Sequence, residues 1–227
     1  IHKLPLDFIN NESFKNNLIA LKDLKFELIE YVICSPGFDY DHEIIQLLKK
    51  NNISIKSDIE IFVEENNSKK ILVSGTNGKT TVSLLLEKII SLKGLDSFAI
   101  GNLGRPVLDY ISLDKDYFII EVSSFHLQIS NNLNADIAIL LNISHDHLDR
   151  HKSFENYVNI KNSLFGKCKV SIGNKNDKNI KRGLTSYFEG SEKIDEANLN
   201  AVSKVLEIID LNCCLLYTSP SPRDAIP

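Results

Sequence analysis

The sequence contains no methionine and no tryptophan, and only four cysteines and six prolines among 227 residues. Each scarcity excludes something. The cysteines (Cys34, Cys168, Cys213 and Cys214) form no C-x-x-C pair. Neither a disulfide framework nor a zinc ribbon is therefore expected, and a reducing cytoplasm is the expected location. No apolar run approaches the length of a membrane span, and no signal-peptide pattern is read at the start, so no membrane partner is expected. The formal net charge of −4 argues against a general polyanion-binding surface, and hence against nucleic acid as a partner. An anionic ligand would need a local positive site. Hydrophobic content of 43% and charged content of 25% are ordinary globular values, and the length allows one or two domains with a sizeable core.

The missing methionine also bears on the ends. An open reading frame begins with methionine, so the expectation is an N-terminus that is processed or absent. After Cys214 the run from Leu215 to Asp224 has no apolar period, and three of the six prolines fall in the last eight residues. Residues 213–227 read as a non-native tail and are set aside from fold reasoning.

What is present is organised around Val73-Ser74-Gly75-Thr76-Asn77-Gly78-Lys79-Thr80-Thr81. The apolar run Ile71-Leu72-Val73 leads into it, and an amphipathic run from Val82 to Leu92 leads out. Strand, small-residue turn and helix form the context in which a glycine-rich loop holds phosphate. Glycines let backbone N–H groups turn inward, and the helix N-terminus favours anionic oxygens. Lys79 is expected to reach the terminal phosphates and the Thr80 hydroxyl to ligate Mg²⁺. The usual eight-residue pattern wants glycine at position 73, where this chain has Val73. The competing reading is a strand–turn–helix with chance glycines.

Residues 1–66 read as the remainder of a first α/β domain. Tyr31-Val32-Ile33-Cys34 is expected to be a short buried strand, closed by the turn Ser35-Pro36-Gly37. A helix is expected over 41–51 and a second strand over 53–55, which suggests a βαβ unit. The polar stretch from Glu64 to Lys70 reads as a linker. The second domain, 67–212, shows Val82, Leu85, Leu86, Ile89 and Leu92 at helical spacing, stopped by Gly94. Short apolar runs at 98–100, 117–120 and 137–141 read as buried strands. The fold class is α/β: a parallel sheet covered on both faces. Lys79, Asn102, Glu121 and His147 each follow the end of one of these strands, where open α/β sheets bind ligands.

Beyond the loop, three further places carry chemistry. Glu121 directly follows four apolar residues, which suits a Mg²⁺ ligand beside a phosphate loop; a helix cap is the plainer alternative. Asn142 through His151 is dense in ligand types. His147 and His151 are four apart, so a zinc site stands as a rival, and a polar loop with a helix cap is a third reading. Lys161 lies on the apolar stripe of Phe154, Tyr157, Val158, Leu164 and Phe165, in a helix capped by Ser153. It either snorkels or is buried with a depressed pKa, and the sequence alone favours snorkelling.

Taken together these segments resemble the Mur ligases, the D-glutamate-adding branch in particular. Gly75-Thr76-Asn77-Gly78-Lys79-Thr80-Thr81 resembles the family's own phosphate loop, which accounts for Val73. Ser35-Pro36-Gly37, Asp58-Ile59-Glu60-Ile61-Phe62, Gly101-Asn102-Leu103-Gly104, Glu121-Val122-Ser123-Ser124-Phe125 and Asn142 through Arg150 carry the rest. The resemblance implies a Rossmann-like partial N-terminal domain followed by a phosphate-loop ATPase-type central domain, in a cytoplasmic monomer. It implies an ATP-dependent amide ligase adding D-glutamate to UDP-N-acetylmuramoyl-L-alanine through an acyl phosphate. By the same resemblance, residues 75–81 bind ATP phosphates. Thr80, Glu121, His147 and Lys161 (as a carbamate) hold two Mg²⁺ ions, with Lys79, His147 and Lys161 catalytic. Asn102, Ser123 and His126 line the substrate site, although His126 stands where the family has glutamine. The implied carbamate replaces snorkelling at Lys161. Alternatives are another Mur or folylpolyglutamate-type ligase, or an ATP-binding module without ligase activity.

Overall fold

The computed structural model describes residue 23 and residues 25–211. The expected tail at 213–227 and the first 22 residues of the expected first domain lie outside the described residues. The chain divides into two compact units. One takes in Ile1–Val32 and Phe38–Ile55, the other Ile33–Gly37 and Lys56–Pro227.

The smaller unit holds a helix, α1 (Glu43–Lys50). His42 caps it, its Nδ1 accepting from the Ile44 N–H at 3.2 Å, and Ile45 and Leu48 form its buried side. Two short strands, β1 (Tyr31–Ile33) and β2 (Ser54–Lys56), pair with each other. The expectation of a buried first strand is corrected, since Tyr31 and Ile33 are exposed and only the following Cys34 is buried. A two-stranded ribbon has no neighbours with which to cover its apolar side chains.

The larger unit begins with α2 (Asp58–Glu65), capped by Ser57, whose Oγ accepts from the Glu60 N–H at 3.1 Å. Ile59 and Phe62 are fully buried, and Phe62 meets Phe118 edge-on with ring centroids 5.0 Å apart. α2 therefore belongs with the larger unit, which takes in the chain from Lys56 onward as well as Ile33–Gly37. The linker reading of 64–70 is also corrected. Asn66, Ser68 and Lys70 are buried. The Asn66 amide donates to the Ile111 and Leu113 carbonyls, and the Lys70 ammonium donates to those of Asn66 and Ser68. Polar side chains can be interior when backbone carbonyls satisfy them.

A six-stranded sheet follows. Its strands are β3 (Lys69–Ser74), β4 (Ser97–Gly101), β5 (Tyr117–Glu121), β6 (Ala135–Leu140), β7 (Cys168–Asn174) and β8 (Ser186–Phe188). Their order is β4-β5-β3-β6-β7-β8, and every pairing is parallel. Side chains alternate between two cores. Leu72, Phe118, Ile120, Ala138 and Leu140 face one, while Ile71, Val73, Ile119, Ile137 and Ile139 face the other. Burial on both sides is why these strands read as continuous apolar runs. The second face is covered by α3 (Lys79–Leu92) through Val82, Leu86 and Ile90, and by α7 (Ile194–Ile208) through Ala201, Val202 and Val205. Leu92, placed on the apolar stripe by its spacing, is exposed, and α3 stops at Gly94, whose φ of 87° is left-handed. Between β5 and β7 lie α4 (Ser124–Ile129), α5 (Leu148–His151) and α6 (Phe154–Asn162).

The strand order reverses at β3. Its neighbours β5 and β6 leave in opposite directions, so the loop after β3 opens at the switch point where parallel sheets bind ligands.

Candidate functional site

The loop between β3 and α3 carries Gly75 to Gly78. Gly78 sits at the N-cap of α3 with φ 85°, ψ −7°, a conformation that favours glycine. An added Cβ there would also run into the Asn198 side chain on α7. Asn142, two residues past the end of β6, holds the loop from beside it. Its Oδ1 accepts from the Thr76 and Asn77 N–H groups at 3.1 and 2.9 Å, and its Nδ2 donates to the Asn77 carbonyl at 3.0 Å. Lys79 Nζ donates to the Thr76 carbonyl at 3.0 Å, so the ammonium folds back over the loop. Thr81 follows on the exposed side of the first turn of α3.

Glu121 ends β5 in register with Val73 and is 2% exposed. Its Oε2 accepts from the Thr80 hydroxyl at 2.7 Å, and its Oε1 from the Asn102 amide at 3.2 Å. The helix-cap alternative for Glu121 does not hold, because α4 is capped by Ser123. A buried carboxylate whose partners here are neutral donors, at the mouth of a phosphate loop, suits a hard divalent cation.

Lys161 comes from α6 and is 2% exposed. Snorkelling, favoured on sequence alone, is corrected. Nζ lies inside, donating to the Gly75 carbonyl at 2.9 Å and to Ser74 Oγ at 3.2 Å. Burial, and then the nearby Lys79 ammonium, lower its pKa from 10.5 to about 7, against the opposing pull of Asp146 and Glu121. The stripe that holds it is anchored by Tyr157, whose hydroxyl pairs with Thr76 Oγ1 at 3.1 Å.

His147 caps α5 in the left-handed region, φ 50° and ψ 33°. Non-glycine residues there carry about 1–3 kcal/mol of strain, which collects at functional positions. Its side chain is 48% exposed, with Nε2 3.4 Å from Asp146 Oδ2. His151, its partner in the zinc alternative, is buried instead, with Nε2 2.9 Å from Ser124 Oγ and its ring stacked on Phe125. Burial, then the charge of His147, holds the His151 pKa below the ordinary value. Among the described residues no group of three or more His, Cys, Asp or Glu side chains is placed to hold a metal. The zinc reading therefore lacks its ligand set.

Ser123 and His126 sit together at the start of α4. Ser123 Oγ accepts from the His126 N–H, and His126 Nδ1 lies 2.7 Å from Ser123 Oγ. Lys79 and Lys161 contact the loop directly, and Thr80 at the start of α3 ties Glu121, and through it Asn102, to the same place, while Ser123 and His126 lie at the start of α4 and His147 at the start of α5. The sequence reading had no role for Asn142, Tyr157 or Ser74. Asn142 alone carried a signal, as the first polar residue after an apolar strand.

Fold and site define a parallel α/β domain with a glycine-rich loop at the switch point of its sheet. The family model described as the Mur ligase middle domain matches residues 73–203, and the chain belongs to that family. A Rickettsia bellii (strain RML369-C) protein named UDP-N-acetylmuramoylalanine--D-glutamate ligase is 41% identical over 152 residues, 66% of this chain and 34% of that protein. One of the same name from Wolbachia pipientis wMel is 42% identical over 161 residues, 70% of this chain and 31% of that protein. The chain thus spans about a third of the length of these curated relatives. Among solved structures, MurF from Acinetobacter baumannii superposes with a TM-score of 0.57 at 14% identity, covering 83% of this chain and 59% of that one. MurF ligase from Thermotoga maritima in complex with ADP gives 0.57 at 12% identity, covering 87% and 65%. These two bear on the fold alone.

Proposed function

We propose that the chain is the central part of an ATP-dependent ligase that joins D-glutamate to UDP-N-acetylmuramoyl-L-alanine. Residues 67–212 form the ATP-binding domain, and 1–66 belong to a domain for the UDP-linked substrate. The carrying observation is that buried Glu121 accepts from Thr80 at the start of α3 while buried Lys161, its pKa lowered to about 7, donates to the Gly75 carbonyl of the loop before it. A simple phosphate-binding loop requires neither.

In this reading the loop amides and Lys79 bind the ATP phosphates. Thr80 and Glu121 hold one Mg²⁺, and His147 with Lys161, as its carbamate, holds a second. The ions supply charge neutralisation for the transferred phosphoryl group. A neutral amine adds to CO₂ and becomes an anionic oxygen ligand, so a lysine with a pKa near 7 is suited to carbamylation. The γ-phosphoryl passes to the substrate carboxylate, giving an acyl phosphate and ADP. The amine of D-glutamate then displaces phosphate and forms the amide. Asn102, Ser123 and His126 line the substrate side. We place the protein in the cytoplasm as a monomer; among the described residues no helix is long and apolar enough to cross a membrane.

The test has two parts. Titration calorimetry on this chain should detect MgATP binding, and Glu121→Gln should weaken it at least about tenfold, as expected when a charged ligand to the cation is neutralised. The full-length product of the gene should release phosphate only when both UDP-N-acetylmuramoyl-L-alanine and D-glutamate are present. Release indifferent to D-glutamate would overturn the assignment.

A further inference from the structure

The start of α4 holds a side-chain relay of Ser123, His126 and Asp58 whose proton arrangement turns on the tautomer of His126. The Ser123 backbone N–H donates to His126 Nδ1 at 3.4 Å. A backbone amide can only donate, which favours the neutral tautomer with Nδ1 as the acceptor. The ring proton then sits on Nε2, which faces Asp58 Oδ1 at 3.6 Å. That separation is longer than a hydrogen bond, but the carboxylate charge favours the N–H on its side. His126 is 4% exposed, and its burial works against a charged ring.

One consequence reaches Ser123. With Nδ1 as the acceptor, the hydroxyl 2.7 Å away is the donor, and it shares the one Nδ1 lone pair with the Ser123 N–H. A hydroxyl has one proton and two acceptor lone pairs. The proton goes to His126 Nδ1, and one lone pair takes the His126 N–H at 3.3 Å. The oxygen keeps a single acceptor position and no proton to offer.

We propose that Asp58 and His126 are positioning residues that fix Ser123 as a hydrogen-bond acceptor. This corner of the site then reads a donor on the substrate, an amide N–H or a hydroxyl, and rejects a carboxylate or carbonyl oxygen there. The inference rests on the ligase reading for the identity of the substrate. Its physical basis is that two facing acceptors, desolvated together, leave both unsatisfied.

Two measurements decide it. Two-bond ¹H–¹⁵N correlation of the imidazole in this chain should give a pyridine-type Nδ1 and a pyrrole-type Nε2 for His126, and Asp58→Asn should shift the ring toward mixed tautomers. A protonated Nδ1 in the unaltered chain overturns the proposal. This readout needs no ligase activity. In the full-length product, Ser123→Ala and His126→Ala should each raise KM for UDP-N-acetylmuramoyl-L-alanine about tenfold, the worth of one lost hydrogen bond, while KM for ATP stays put. His126→Gln should recover most of the loss relative to alanine, because its carbonyl can accept the Ser123 proton. The double alanine variant should be no worse than Ser123→Ala alone, as expected of residues acting as a unit. Additive losses, or a fall in kcat with KM unchanged, overturn the proposal. Absence of D-glutamate-dependent phosphate release would count against the ligase reading, while the tautomer measurement still decides the inference.

Discussion

Lys161 reaches from α6 to the phosphate loop and donates to the Gly75 carbonyl at 2.9 Å, with its ammonium out of solvent. The contact joins the third turn of one helix to the loop that opens another, 86 residues earlier in the chain. It places a group of adjustable charge where negative phosphate oxygens would lie. It also sets a cost, because a buried ammonium is destabilising unless it gives up its proton.

That cost gives a pH signature. Lys161 has a pKa of about 7 in the fold and 10.5 ordinarily. Between those values the unfolded chain holds a proton that the folded chain has released, so folding stability rises with pH. The slope approaches about 1.4 kcal/mol per pH unit. The gain is lost as pH falls toward 7. Urea unfolding of the chain and of Lys161→Met at pH 7, 8 and 9, in CO₂-free buffer, should show the unaltered chain gaining on the variant by a few kcal/mol over this range. A difference that stays constant with pH would mean that Lys161 keeps its ordinary pKa.

Gly78 combines a left-handed backbone with a crowded approach to Asn198. Gly78→Ala should destabilise the chain by about 1–3 kcal/mol through strain and should distort the loop amides. Calorimetry is expected to show MgATP binding weakened together with the loss of stability. Full binding in a destabilised variant would show that the loop tolerates the change.

Phe62 tests whether α2 belongs to the body of the sheet. It is fully buried and meets Phe118 at an interplanar angle of 84°. Phe62→Ala should cost about 3–5 kcal/mol, lowering the urea midpoint of one cooperative transition. A separate early transition for α2, with the sheet unaffected, would show it to be an independent segment.

Much of this architecture was legible because both faces of the sheet are buried. Ile71 to Val73, Tyr117 to Ile120 and Ile137 to Leu140 had to be apolar throughout, and such runs stand out in a sequence. Ser153 as a helix cap was readable for a similar reason, since its oxygen serves a donor only three residues away, on Asn156. The errors share one cause. Asn66, Ser68 and Lys70 are polar, so they read as linker, yet their partners include the carbonyls of Ile111 and Leu113, over forty residues distant. Leu92 has the right spacing for the apolar stripe, but it lies beyond the end of the surface that α3 covers.

The sequence by itself determined the parallel sheet, the glycine-rich turn and its helix, and the family to which the chain belongs. The sheet, the turn and the helix follow from periodicity, from the conformational freedom of glycine and from local capping, all of which act over a few residues; the family rests on the resemblance of the motifs. The tertiary structure alone decided the state of the ionisable groups. It took Lys161 inside and buried His151 against Ser124 while leaving His147 exposed. Charge and hydrogen-bond direction depend on solvent exclusion and on partners distant in the chain, and neither is written in local spacing.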